Sequence, residues 1–170
     1  MIPRSFAAST LRVALSAAAI TVATTALAGP TNVPFKATFV TQEQRLHPDP
    51  AICQTAPHLV GITALSGHAS HLGATTAVSS DCVTQTSPYT YSFANGTLTA
   101  IAANGDELRA EYSGTLSPTA TPPIYAIAGS YRITAGTGRF SGASGSGTLQ
   151  GIDNIQTGQG QLQLSGVISY

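Results

Sequence analysis

The chain has 170 residues, a formal net charge of zero, 8% charged residues and two cysteines. That balance leaves no basic patch for nucleic acid or for an anionic membrane surface. Ser, Thr and Gly are abundant, which suits a β-protein better than a helical one, because Thr favours strands and Gly punctuates them.

Residues 1–28 read as a secretory signal peptide rather than as part of the fold. Arg4 and Arg12 form a positive n-region, and Val13 to Leu27 is an uncharged run rich in Ala, Val, Ile and Leu. Ala26-Leu27-Ala28 is an A-x-A cleavage signal, followed by the Gly29-Pro30 break. The alternative, a retained membrane anchor, is disfavoured because the run is short and full of Ala and Thr. No Cys stands at the cleavage site, so a lipid anchor is not suggested either. Cleavage after Ala28 leaves residues 29–170, one domain long enough for a real core. Losing Arg4 and Arg12 leaves five basic residues against seven acidic ones. The expected location is secreted or periplasmic, with a bacterial look to the signal. No stable membrane span and no nucleic-acid partner are expected.

Both cysteines, Cys53 and Cys82, remain in the exported part. In an oxidising compartment the simplest reading is one disulfide. It would close a loop of about 30 residues and stabilise by roughly 3–4 kcal/mol on the chain-entropy account. A reactive thiol pair is the sharper alternative, but there is no C-x-x-C spacing.

In chain order, VPFKATFVTQ (Val33 to Gln42) alternates as a first strand. EQRLHPDPAICQTAP (Glu43 to Pro57) carries three prolines and reads as a long loop, tied to the body through Cys53. His58 to Val78 reads as two extended segments broken near Gly67, with Cys82 in a polar turn. Tyr89 to Phe93 is a short aromatic strand. Asn95-Gly96 and Asn104-Gly105 are hairpin signals, because a type I′ turn needs positive φ at both central residues.

Asp106 to Leu116 has Leu108, Ala110 and Tyr112 on one face and Glu107, Arg109, Glu111 and Ser113 on the other. SPTATPP (Ser117 to Pro123) is a loop. Ile124 to Ala135 is a strand with Tyr125, Ile127, Tyr131 and Ile133 on its bulky face. Thr148 to Ile152 and Gln161 to Ser169 follow. No part of residues 29–170 shows a capped 3.6-residue period. About eight strands on hairpin-length links predict an all-β fold, an antiparallel eight-stranded barrel, with a β-sandwich as the alternative. Closure into a barrel removes exposed sheet edges.

The glycine-rich stretch GTGRFSGASGSG, Gly136 to Gly147, invites a phosphate-binding reading. A dinucleotide fingerprint needs a third glycine where Ser141 stands, and a helix that this sequence cannot start. A P-loop needs a Lys after its last glycine, and none is there. The structural reading is a tight turn: Gly136 and Gly138 permit it, Phe140 plugs into the core, and Gly142, Gly145 and Gly147 supply bulges and close strand approach.

The run GSYRITAGTGRFSGASGSGTLQG (Gly129 to Gly151) resembles the T-G-G-T-G-R-F-x-G-A-x-G signature of small secreted bacterial proteins. These are described as similar to the allene oxide cyclase and dirigent barrels. SGHASHLGATT (Ser66 to Thr76) is similar to their G-x-x-x-H-L-G strand, and AANGDELRAEYSGTL (Ala102 to Leu116) to their A-N-G-D-x-L hairpin. The resemblance covers most of the chain from about Phe35 onward. It implies a calycin-like eight-stranded antiparallel barrel, and a homo-oligomer, since related barrels often form trimers. It carries no activity across. Plant allene oxide cyclases place a glutamate and polar groups inside the barrel, and dirigent proteins use acidic residues and an arginine in an open pocket. Those residues find no one-to-one match here.

Other constellations are weaker. His68 and His71 lie three apart and face opposite sides of a strand, so no single metal site is expected, even with His47 and His58; a buried, hydrogen-bonded His71 is the better reading. There is no G-x-S-x-G, and a triad of a serine with His71 and Asp81 or Asp106 rests on inventory alone. Asp106 belongs to the Asn104-Gly105 turn. Glu107 and Glu111 alternate with Arg109 as a solvated ladder rather than an acid–base pair. Asn95-Gly96-Thr97 is formally a glycosylation sequon that overlaps a turn.

The tyrosines are more informative. Tyr89, Tyr91, Tyr112, Tyr125 and Tyr131 all fall in predicted strands, where the plain expectation is core packing with hydroxyls at the rim. The functional expectation is a pocket for a small apolar or aromatic ligand lined by Tyr112, Tyr125 and Tyr131, with Arg132 or Arg139 as a charged contact. No cofactor is implied. Three functions then make different demands. A binding module needs a cavity. A cofactor-free isomerase, cyclase or dirigent-type enzyme also needs an inward carboxylate or tyrosine. An envelope or matrix component needs neither.

Overall fold

The computed structural model describes residues 32–170, so the signal-peptide reading lies outside the described residues. Eight strands run in order: β1 (Val33–Pro48), β2 (Leu59–Ala69), β3 (Gly73–Ser87), β4 (Thr90–Ile101), β5 (Glu107–Pro118), β6 (Ile124–Gly136), β7 (Ser144–Asn154) and β8 (Gln159–Ser169). Each pairs antiparallel with the next, and β1 closes on β8 from Val33–Ile168 to Gln42–Gln159, giving a closed barrel. The sandwich alternative is thereby excluded. One 3₁₀ turn, Gly138–Phe140, interrupts the β6–β7 link.

The alternation behind the strand assignments is the alternation of the wall. On β1, Phe35, Ala37, Phe39 and Thr41 are buried and point inward, while Lys36, Thr38 and Val40 are exposed. On β6, Tyr125, Tyr131 and Ile133 are buried, and Ile127 shares their parity. The outer wall is rich in hydroxyls and amides, among them Thr38, Ser66, Gln150 and Gln163.

Several local readings are corrected. β1 continues through Glu43 to Pro48, so the loop is shorter than Glu43 to Pro57; the prolines stand where the strand ends rather than throughout a coil. β2 continues past Gly67 to Ala69, because Gly67 is where β1 passes too closely for a side chain: a Cβ would overlap the Thr38 carbonyl. Asn95-Gly96 makes no hairpin. Both lie inside β4 at a register shift between Phe93 and Gly96, with Asn95 at φ 53°, so the positive φ serves a bulge. Tyr89 lies in the β3–β4 turn at φ 68° and is exposed. By contrast Asn104-Gly105 does turn the chain between β4 and β5, with Gly105 at φ 88°.

Cys53 and Cys82 form a disulfide. Cys82 lies within β3, not in a turn. It faces outward beside its β2 partner Val60, which is 1% exposed although it too points away from the interior. The segment between β1 and β2 therefore folds back over the outer wall and makes a small second core of Cys53, Cys82 and Val60. His58 anchors it through Nδ1, 2.7 Å from the Cys53 carbonyl.

The barrel has one plugged end. Phe140, Leu72, Ile168 and Ala143 are all at most 2% exposed there. The glycine-rich stretch builds this plug. Gly138 sits at φ 55° with no room for a side chain against the Asp106 carboxylate, and Gly142 is at φ 78°. A Cβ on Gly136 would meet Phe140. Arg139 crosses the end: its backbone N–H donates to Asp106 Oδ2 at 3.2 Å, its guanidinium donates to the His71 carbonyl and lies over the Phe140 ring at 4.8 Å. His71 itself is exposed rather than buried, at φ 68°, with Nε2 3.0 Å from the Pro34 carbonyl.

Candidate functional site

Away from the plug the interior is hollow. A cavity of about 440 Å³ occupies the half of the barrel nearest the β1–β2, β3–β4, β5–β6 and β7–β8 links. Leu46, Leu59, Tyr91, Leu116 and Ile155 surround its mouth; Leu65, Leu98, Leu149 and Leu164 form deeper wall. This size and lining suit one small, mostly apolar molecule.

Three carboxylates interrupt the apolar wall: Glu43 on β1, Asp81 on β3 and Asp153 on β7. Their inward position follows from strand parity. Glu43 continues Phe39 and Thr41, Asp81 continues Ala77 and Ser79, and Asp153 continues Leu149. Each has a glycine beside it that leaves the space it needs. Gly61 stands opposite Asp81, and a Cβ there would come within 2.9 Å of Oδ1. Gly160 stands opposite Asp153, with the same clearance to its Oδ1. Gly158 accepts a backbone hydrogen bond from Glu43 at 2.7 Å and packs against its Cβ.

Asp81 and Tyr112 form the centre of the site. The Tyr112 hydroxyl donates to Asp81 Oδ2 at 2.7 Å. The tyrosine ring lies over Gly96, where a Cβ would come within 2.7 Å of it, so the β4 bulge exists where this ring needs room. Phe93 packs against the ring, tilted, at 5.9 Å between centroids.

Burial raises the Asp81 carboxyl to about 6, with the Tyr112 hydrogen bond pulling the other way. Tyr112 is raised far above the usual phenol range, first by burial and then by the Asp81 charge, while the Ser79 hydroxyl opposes. Glu43 is raised by burial, then by Asp153 and Asp81. Asp153 is raised by burial against a backbone hydrogen bond from Asn154. An acid that changes charge near neutral pH inside an apolar cavity is equipped to accept or give a proton.

The sequence-derived candidates divide. Tyr112 and Tyr131 line the cavity. Tyr131 is pushed up to about 12 by burial, packs on Phe35 at 6.1 Å, and its hydroxyl has no hydrogen-bond partner. Tyr125 is buried next to Tyr91, at 6.1 Å between centroids, and does not reach the cavity wall. Arg132 is on the outer face, paired with Glu111 at 2.7 Å, and Arg139 is at the plugged end, so neither supplies the cavity with a charged contact. Glu107 and Arg109 pair on the outer wall at 2.7 Å. Among the described residues no three His, Cys, Asp or Glu side chains are placed to hold a metal ion.

Sequence reasoning met Asp81 only as an inventory partner for a serine and passed over Glu43 and Asp153. The signal was present in their parity with buried neighbours two and four residues away. No family model, curated protein or solved structure matched the chain.

Proposed function

We propose that this protein is a secreted or periplasmic, disulfide-bonded barrel that binds a small, mainly apolar molecule in its open half. The observation that carries this reading is the leucine- and tyrosine-lined cavity of about 440 Å³, open between the strand ends. The disulfide fits an oxidising compartment. The signal-like N-terminus and the resemblance to small secreted barrels of the allene oxide cyclase and dirigent type support the same reading. A purely structural envelope or matrix role calls for a filled interior, and half of this one is not filled.

The test is titration of the oxidised chain with N-phenyl-1-naphthylamine, whose fluorescence rises in apolar surroundings. Saturable 1:1 binding is expected, weakened at least tenfold by Leu116→Trp at the mouth. Failure to saturate in the parent chain contradicts the reading.

A second reading, cofactor-free proton transfer of the isomerase or cyclase kind, is favoured by one specific observation: the Asp81–Tyr112 pair faces the cavity. It predicts that the parent chain, and not Asp81→Asn, accelerates deuterium exchange into 2-tetralone, a ketone with an acidic α-carbon. Equal rates with both chains exclude Asp81 as the base.

A further inference from the structure

The order of residues around the cavity wall points to the ligand's chemistry. Register puts Asp153 opposite Gly160, Gly160 opposite Thr41, Glu43 opposite Thr63, and Gly61 opposite Asp81. The three carboxylates therefore occupy β7, β1 and β3. The two intervening strands, β8 and β2, contribute glycines beside Asp153 and Asp81. Glu43, Asp81 and Asp153 thus form an arc at one level of the barrel.

No Lys, Arg or His among the described residues lines the cavity. The arginines Arg109, Arg132 and Arg139 are engaged with carboxylates outside it. A fixed cluster of one sign in a water-poor wall rejects an anion and favours a cation. The aromatic faces of Tyr91, Phe93 and Tyr112 on the same wall add to that preference.

A second observation points to an occupant. The same wall encloses about 440 Å³ and is otherwise mostly apolar, so the three acids face a space that one small molecule can fill.

We propose that the cavity selects a cationic amphiphile, a protonated amine on an apolar body, with the ammonium held by the arc of Glu43, Asp81 and Asp153. This rests on the reading of the cavity as a ligand site. It excludes fatty acids and other apolar anions as preferred ligands. The ammonium replaces the missing cationic partner of three partly desolvated acids, while the leucine-lined wall takes the apolar body.

The experiment compares three probes of one shape, octylamine, octanol and octanoate. Each displaces N-phenyl-1-naphthylamine from the oxidised chain at pH 7.5. Octylamine is expected to bind at least tenfold more tightly than octanol, and octanoate more weakly than octanol. In the Glu43→Gln, Asp81→Asn, Asp153→Asn triple variant the ratio of octylamine to octanol affinity, read within that chain, should fall to about one. Equal affinity for amine and alcohol, or a preference for octanoate, overturns the inference and leaves the apolar-ligand reading standing. A preference for the amine that survives in the folded triple variant also overturns it. If octanol and N-phenyl-1-naphthylamine both fail to bind the parent, the ligand-site reading falls and this inference with it.

Discussion

Asp81 holds its proton to about pH 6 because its carboxylate is buried. An exposed aspartate loses its proton near 3.9. The sign of the resulting stability effect follows from linkage. Below about pH 4 the carboxyl is protonated in both folded and unfolded chains and contributes nothing. As pH rises from about 4 to about 6, the unfolded chain releases a proton that the folded chain keeps, so stability falls. Above about 6 the full penalty of about 3 kcal/mol is present. Asp81→Asn keeps an acceptor for Tyr112 and removes that charge. The variant is expected to be more stable than the parent by up to about 3 kcal/mol in denaturant unfolding at pH 8, and nearly equal to it at pH 3.5. A loss of the same size at both pH values contradicts a buried charged Asp81. Tyr112→Phe removes the one donor to Asp81 that lowers its pKa, so a carboxyl-carbon NMR titration should show the Asp81 midpoint moving up from about 6; an unchanged or lower midpoint contradicts the pair. These residues were hard to read in the sequence because a lone acid in a strand is expected to face water. The glycines that make their inward placement affordable lie on neighbouring strands, at separations that no local pattern reveals.

The strands themselves were more legible. Period-2 alternation marks Val33 to Gln42, Asp106 to Leu116 and Ile124 to Ala135, because each has one apolar and one polar face. Asn95-Gly96 misled because a bulge and a type I′ turn both use positive φ; which one forms is decided by the Tyr112 ring across the β4–β5 ladder. Gly96→Val should therefore destabilise by a few kcal/mol, as over-packing does, and displace Tyr112, read as a shifted Tyr112 ring signal in NMR; an unchanged Tyr112 environment argues against the bulge serving that ring. The β1–β2 link was read as too long, but its tether was read correctly as Cys53 to Cys82. Replacing both cysteines by serine should lower stability by roughly 3–4 kcal/mol on the chain-entropy account. The loss should also loosen β3 next to Asp81, seen as faster amide exchange at Asp81 to Val83. Unaltered exchange there places the tether's effect elsewhere.

At the scale of the whole molecule the barrel is divided along its axis. The three links at the plugged end, β2–β3, β4–β5 and β6–β7, fall within the stretches SGHASHLGATT, AANGDELRAEYSGTL and the run around GTGRF. Arg139 ties the three together by reaching Asp106 and the His71 carbonyl. The glycine-rich stretch from Gly136 to Ala143 thus closes the end of the barrel opposite the cavity mouth. The fold is legible because its marks are local alternation and turns; of the site only Tyr112 and Tyr131 are, whereas its acids are single residues on β1, β3 and β7. Gly138→Ala at the plug should cost stability through both the positive φ and the clash with Asp106, without weakening the binding of N-phenyl-1-naphthylamine to the folded variant. A loss of affinity with stability intact contradicts the division into plug and cavity. The central claim is that the open half is a ligand site built around Asp81 and Tyr112, and the most direct measurement is a crystal structure of the oxidised chain grown with N-phenyl-1-naphthylamine. The account predicts the probe inside the barrel, beside Tyr112 and between Leu98 and Leu149. An interior packed shut by those leucines, with the probe outside or absent, would contradict it.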